Sequence, residues 1–182
     1  MRQASSYGLG EQVKAALDAG CRHLIIGTGG SATNDGGIGF AGRSARASGV
    51  RTAPCCRLPQ QVRTAHIQRI NLSGLDPRLQ QSEIQASCDV TNPLLGEHGA
   101  TWVYGAQKGA DEAALCELEA GMAHYSQLLT QTLGFDVSGR PGAGAAGGMG
   151  AALIAYTGAT LRPGIDWCWS CLTPTTIFAM PR

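Results

Sequence analysis

The run Gly27-Thr28-Gly29-Gly30-Ser31-Ala32-Thr33-Asn34-Asp35-Gly36-Gly37 gathers glycines, hydroxyls, an amide and one carboxylate into a single short stretch. It follows the apolar segment His23 to Ile26, which reads as a strand. Glycine permits tight and left-handed turns, so consecutive N–H groups of such a loop can converge on the oxygens of a phosphate. Asp35 could then hold a Mg²⁺ ion or accept a proton from a substrate hydroxyl. The same composition also suits an ordinary surface turn at a strand end. The loop carries neither the Lys-Ser/Thr ending of a Walker A sequence nor a dinucleotide fingerprint.

The elements that would position this loop alternate between helix and strand. Gly10 to Ala19 sets Val13, Ala16 and Leu17 at helical spacing and stops at Gly20, which predicts a helix leading into the strand His23 to Ile26. Ile84 to Val90 alternates in part and predicts a second strand, with Asp89 at its C-terminal lip, where open α/β sheets bind ligands. Trp102 to Tyr104 reads as a further short strand. From Asp111, an N-cap, to Leu133 the residues Leu115, Leu118, Met122, Tyr125 and Leu129 recur every three or four positions, which predicts one long amphipathic helix. Its stripe belongs to the core, and His124 beside it is expected on the solvated face. Gly142-x-Gly144-x-x-Gly147 formally matches a dinucleotide fingerprint but follows the polar turn Ser138 to Pro141 instead of a strand. Its glycines are expected to let the next helix approach the sheet or another loop closely, with a phosphate contact as the alternative.

Composition narrows the function classes. The chain has 182 residues, 43% of them hydrophobic, and a formal net charge of +1, values of an ordinary globular protein with one sizeable core. No apolar run approaches the roughly 18 residues of a membrane span, and the N-terminus has no basic-then-apolar signal pattern. Seven scattered cysteines fit a reducing cytoplasm better than a disulfide framework. Cys168-x-x-Cys171 lacks the second pair of ligands that a closed zinc site needs. Between Asp35 and Asp76 there is no acidic residue, while Arg43, Arg46, Arg51, Arg57, Arg63 and Arg69 accumulate. A nucleic-acid arm would use such charge, but no aromatic residue lies between Gly42 and Ile70 to stack on bases.

Six segments in one order resemble the glycerate kinases of bacterial glyoxylate and sugar-acid catabolism. They are Ser5-Ser6-Tyr7-Gly8-Leu9-Gly10-Glu11, the Gly-rich loop, Leu72-Ser73-Gly74-Leu75-Asp76-Pro77-Arg78-Leu79, Cys88-Asp89-Val90-Thr91-Asn92-Pro93-Leu94, Gly105-Ala106-Gln107-Lys108-Gly109-Ala110, and Pro141 to Gly150. Thr28 stands where that family usually has an aliphatic residue, and Ala106 where it has proline. The resemblance implies an α/β chain, a partial glycerate-kinase-like fold with alternating helices and strands and Gly-rich loops at strand ends. It covers 1–166, with residues 43–66 atypical and 167–182 an unrelated tail. The family's Lys-containing first-strand loop, acidic Gly-rich motif and Thr-Gly-Glu-Gly-Arg-like motif have no counterpart, so the chain is expected to be truncated at both ends. Both atypical stretches are expected to be products of a shifted reading frame.

The resemblance further implies ATP-dependent phosphorylation of glycerate to phosphoglycerate, with Mg²⁺, in the cytoplasm. Glycerate and ATP are the expected partners, with no nucleic acid and no membrane. Activity is expected to be impaired, the alternative being a non-catalytic fragment that binds phosphate or a small acidic metabolite. Asp35 and Lys108, one of two lysines in the chain, are the expected catalytic residues, Asp35 also as metal ligand. Gly29, Gly30, Ser31, Thr33, Asn34, Asp89, Asn92 and Gln107 are expected to bind substrate or phosphate. A domain cut in mid-sheet would expose edges through which copies could self-associate.

Overall fold

The computed structural model describes residues 4–44, 50–52, 64–166 and 169. Its elements run in the order α1 (Tyr7–Asp18), β1 (His23–Gly27), α2 (Ile38–Ser44), β2 (Val50–Thr52), β3 (Ile67–Ile70), α3 (Pro77–Gln80), β4 (Glu83–Ser87), α4 (Ala100–Tyr104), α5 (Glu112–Leu133), α6 (Ala145–Thr157) and β5 (Thr160–Arg162). The α/β class expected from the sequence is the one observed. Most of the Arg-rich stretch and nearly all of the tail, Cys168 and Cys171 included, lie outside the described residues.

Strands β1, β4 and β5 form a parallel sheet in that order, with Ile25 opposite Gln85 and Ala86 opposite Leu161. Parallel strands share a carboxyl end, so the loops after Gly27, Ser87 and Arg162 leave the sheet side by side. On β1 the interior face is carried by Ile26, while Ile25 on the opposite face is 50% exposed. A short antiparallel pair, β2 with β3, lies apart from this sheet.

Helix α5 obeys its sequence pattern closely. The Asp111 carboxylate accepts from the Ala114 N–H, satisfying one of the otherwise orphaned first-turn donors, and Gly134 closes the helix in the left-handed conformation at φ 78°. Leu115, Leu118, Met122, Tyr125 and Leu129 are all buried. Met122, Tyr125 and Leu129 join Val13 and Leu17 of α1, Phe40 of α2, Ile84 and Ala86 of β4, and the small residues of α6 in one core.

The structure departs from the sequence expectation at two places in this region. Trp102 to Tyr104 is not a strand but the end of α4, because Val103 donates to the Gly99 carbonyl and Gly105 to the Thr101 carbonyl, and local i→i−4 bonds satisfy the backbone without a neighbouring strand. Three residues of high strand propensity are too few to override that. His124 is not on a solvated face either: it is half-buried, and its Nε2 lies 2.8 Å from the Ile67 carbonyl, fastening α5 to β3.

The glycine-rich start of α6 behaves as a packing device. Ala146, Gly147 and Gly148 all have positive φ, a left-handed turn that breaks the helix after its first residues. A methyl group on Gly147 would overlap the Thr33 carbonyl, and one on Gly148 would sit 2.8 Å from the Gly36 Cα. Gly36 N–H donates to the Gly147 carbonyl at 2.9 Å. The two glycine-rich loops are thus in direct backbone contact.

Leu129 is fully buried, so Leu129→Ala should lower unfolding free energy by about 2–5 kcal/mol. Chemical denaturation measures it, with a change below about 1 kcal/mol ruling out the tight packing described here.

Candidate functional site

At the carboxyl end of the sheet a cleft of about 320 Å³ is lined by the first half of the Gly27–Gly37 loop, by Ser87, Asp89 and Val90 after β4, by Tyr104, Gln107 and Lys108, and by Ala145 and Ala146. That volume suits a small anion or part of a nucleotide. Among the described residues no helix is long and apolar enough to cross a membrane, and no group of three or more His, Cys, Asp or Glu side chains could cage a metal.

The Gly-rich loop divides into two halves with different constraints. Methyl groups built on Gly27, Gly29 or Gly30 would touch nothing within 4 Å, so packing does not require glycine there, although Gly30 takes a left-handed φ of 69°, and the backbone is bare toward the cleft. On Gly36 a methyl would press on the Tyr125 ring at 2.8 Å, and on Gly37 it would overlap Ala152, both at positive φ. The first half is open to a ligand; the second is a buried anchor.

Asp35 belongs to the anchor. It is 1% exposed, its Oδ2 accepts from Ser6 N–H at 2.9 Å and Ser6 Oγ at 2.8 Å, and its Oδ1 accepts from Gly37 N–H at 3.0 Å. Ser6 Oγ in turn accepts from Phe40 N–H at 3.0 Å. Expected at a metal or at an acceptor hydroxyl, Asp35 is placed beneath the cleft with its oxygens turned to protein donors. Asn34 is also interior: its Nδ2 donates to Thr101 Oγ1 at 3.3 Å, and its Oδ1 has no hydrogen-bond partner among the described residues.

Lys108 reaches over the loop from the other wall. Its Nζ donates to the Thr33 carbonyl at 2.7 Å and stands 6.0 Å from the centre of the Tyr104 ring. An ammonium has three donors, which leaves two for a ligand. Burial holds this ammonium below the ordinary lysine pKa, and the negative charge of Asp35 partly offsets that. Ser31 Oγ and Thr33 Oγ1 are 2.9 Å apart, and both lie 3.4 Å from the Ala146 carbonyl. Gln107 is exposed on the rim.

Of the residues expected from the sequence, Gly29, Gly30, Ser31, Asp89, Gln107 and Lys108 line the cleft. Thr33 and Asn92 support it from behind. Asn92 accepts from Tyr104 OH at 2.7 Å and donates to the His98 carbonyl at 2.8 Å, so it fixes the aromatic wall under Lys108. Sequence reasoning missed Thr28, whose hydroxyl donates to the Ser87 carbonyl at 2.9 Å, and it missed Ser87, Tyr104 and Ala146. Ser87 carried a usable signal, since it sits two residues before Asp89 on the same strand end, where side chains share a face.

The sequence model described as the glycerate kinase family matches residues 1–176. The chain belongs to the glycerate kinase family. It is 45% identical over 167 residues to the glycerate 2-kinase of Escherichia coli K12, an alignment covering 89% of this chain and 42% of the relative. A glycerate kinase of Bacillus cereus is 49% identical over 165 residues, with the same shares. The crystal structure of a candidate glycerate kinase 2 from Salmonella typhimurium LT2 superposes with a TM-score of 0.85 at 42% identity, covering 93% of this chain and 45% of that one. The chain thus spans less than half the length of the glycerate kinases it matches. The family match runs through the Arg-rich stretch and into the tail.

Removing the Asp35 carboxylate would leave three buried donors unpaired. Asp35→Ala should therefore cost on the order of 3 kcal/mol or more, and Asp35→Asn, which keeps an acceptor, distinctly less. Urea unfolding of the two variants side by side decides it: equal, small losses would mean Asp35 does not hold the loop to α1.

Proposed function

We propose that this chain carries the phosphate-handling site of an ATP-dependent glycerate kinase. The observation that carries the reading is the opposition, across one cleft in a glycerate kinase family fold, of a bare Gly27–Gly30 backbone and the Lys108 ammonium. Phosphoryl transfer asks the protein for positioning and charge stabilisation more than for covalent chemistry. A glycerate hydroxyl oxygen forms a bond to the γ-phosphorus of ATP as the bond to the bridging oxygen breaks; ADP leaves and the hydroxyl proton is released. The N–H groups of Gly29 and Gly30 and the Ser31 hydroxyl would cradle phosphate oxygens. Lys108 would sit against the negative charge of the transferring group, and Asp89 with Gln107 would orient the acceptor at the rim. Thr33 contributes the carbonyl that aims Lys108, Asn34 holds the loop through Thr101, and Asn92 holds Tyr104. Asp35 acts in this reading through charge, by supporting the protonated state of Lys108. Bound Mg²⁺ would neutralise phosphate charge.

A second reading, a fragment that binds phosphate or a small acidic metabolite without turnover, is favoured by the cleft's modest volume and its lone lysine. We assign the kinase unit to 1–166 and keep the shifted-frame origin of residues 43–66 and of 167–182 as a proposal, which the coding DNA tests. It fails if glycerate kinase residues do not reappear in a neighbouring frame.

Glycerate-dependent ADP release from Mg²⁺·ATP is the measurement that separates the readings. Turnover is expected at an impaired rate, and Lys108→Met should lower it further, on the order of 10²- to 10³-fold. Folded protein that binds phosphate without releasing ADP would establish the second reading.

The pH dependence has a definite sign. Because burial lowers the pKa of Lys108 from 10.5, its charge is lost at lower pH than that of an ordinary lysine. Activity should fall on the alkaline side at a pH below that value. Asp35→Asn removes the offsetting negative charge and should move the fall to lower pH still; an unmoved limb would show that Lys108 is not the titrating group.

A further inference from the structure

We propose that the divalent cation of this site is held by Asp89 together with Ser87, at the end of β4, and not by Asp35. The proposal rests on the kinase reading for the presence of a phosphate ligand. Asp35 is buried and its two oxygens already accept three protein hydrogen bonds. Asp89 is exposed in the cleft, and its Oδ1 accepts only the Gly164 N–H, at 2.7 Å. Oδ2 has no hydrogen-bond partner among the described residues.

The donor set and the space beside it fit a hard cation. A methyl group built on Gly164 would stand 2.8 Å from Ser87 Oγ, 3.3 Å from Asp89 Oδ2 and 3.5 Å from Asp89 Oδ1. These three oxygens therefore lie close together beside Gly164, on the side where any larger residue would carry its Cβ. Gly164 has no positive φ, so its backbone alone does not explain the glycine. Mg²⁺ binds through one or two protein oxygens, retained waters and substrate phosphates, so a carboxylate and a hydroxyl suffice where a protein cage would not form. The Gly164 N–H fixes the carboxylate, as a partner of a metal ligand should. Lys108 and Asp89 line the same cleft, so Lys108 and a cation seated on Asp89 would divide the phosphate charge between them.

Mn²⁺ serves as the probe, followed by electron paramagnetic resonance, alone and with inorganic tripolyphosphate. The purified wild-type chain should bind Mn²⁺ more tightly when tripolyphosphate is present. Asp89→Asn, which keeps the acceptor for Gly164 N–H, should weaken Mn²⁺ about tenfold or more. Gly164→Ala should weaken it by crowding these oxygens, while Glu83→Gln, at the opposite end of β4 and outside the cleft, leaves it within about twofold, circular dichroism confirming that each variant is folded. Wild-type affinity in both Asp89→Asn and Gly164→Ala, or no Mn²⁺ binding by the wild type in either condition, overturns the proposal. Mn²⁺ binding that follows this pattern without any ADP release would sink the kinase reading and leave the cation seat standing.

Discussion

The buried carboxylate of Asp35 is the constraint on which the site depends. It joins the start of α1, through Ser6, to the turn at Gly37 that opens α2. Ser6 extends the link to Phe40, a fully buried side chain. A carboxylate so buried is tolerable only because three protein donors are aimed at it. It lies in the loop whose opposite end is bare toward the cleft, and its charge is felt at Lys108. One carboxylate thus closes the core, shapes the loop and helps keep an ammonium charged.

Backbone contact supplies the second constraint. The Gly-rich loop and the Gly142–Gly148 loop touch without side chains between them, through the Gly36 to Gly147 hydrogen bond and the clearance that glycine alone provides. Ala146 takes a positive φ within this contact, and its carbonyl receives the Ser31 and Thr33 hydroxyls. A non-glycine residue in that conformation is costly, so the surrounding contacts must hold it there. Movement of one loop would be felt directly by the other, which makes the cleft floor a single unit.

Local patterns in the sequence carried much of this. The helix after Asp111 was legible because its cap, its 3.6-residue stripe and its terminal glycine all agree, and the strand before Gly27 because an apolar run ends in turn residues. The loop was expected to serve as an anion cradle, but its division into an open and a buried half was not legible. Asp35 and Asp89 are both carboxylates beside strand ends; which one faces solvent depends on Ser6, Gly37 and Gly164, residues far apart in sequence. Trp102 to Tyr104 misled because strand propensity describes a half-buried pleated surface, and no such surface is available between Gly99 and Gly105. His124 misled because β3 covers a face that the helix alone would leave in water.

Charge balance in the cleft links these features to the chemistry. Lys108 is held half-buried against a carbonyl oxygen, a place where an ammonium is disfavoured until a negative partner arrives. Asp35 is too enclosed to meet a ligand, yet close enough to limit that penalty. A phosphate resting on Gly29 and Gly30 would complete the compensation, and the two free donors of Lys108 would find their acceptors. Asp89, on the facing wall, would repel the same phosphate unless a cation lay between them. On the proposed reading the arrangement would favour an anion that brings a divalent metal with it over a bare carboxylate or phosphate, a preference that would follow from where two like charges and one unlike charge are fixed.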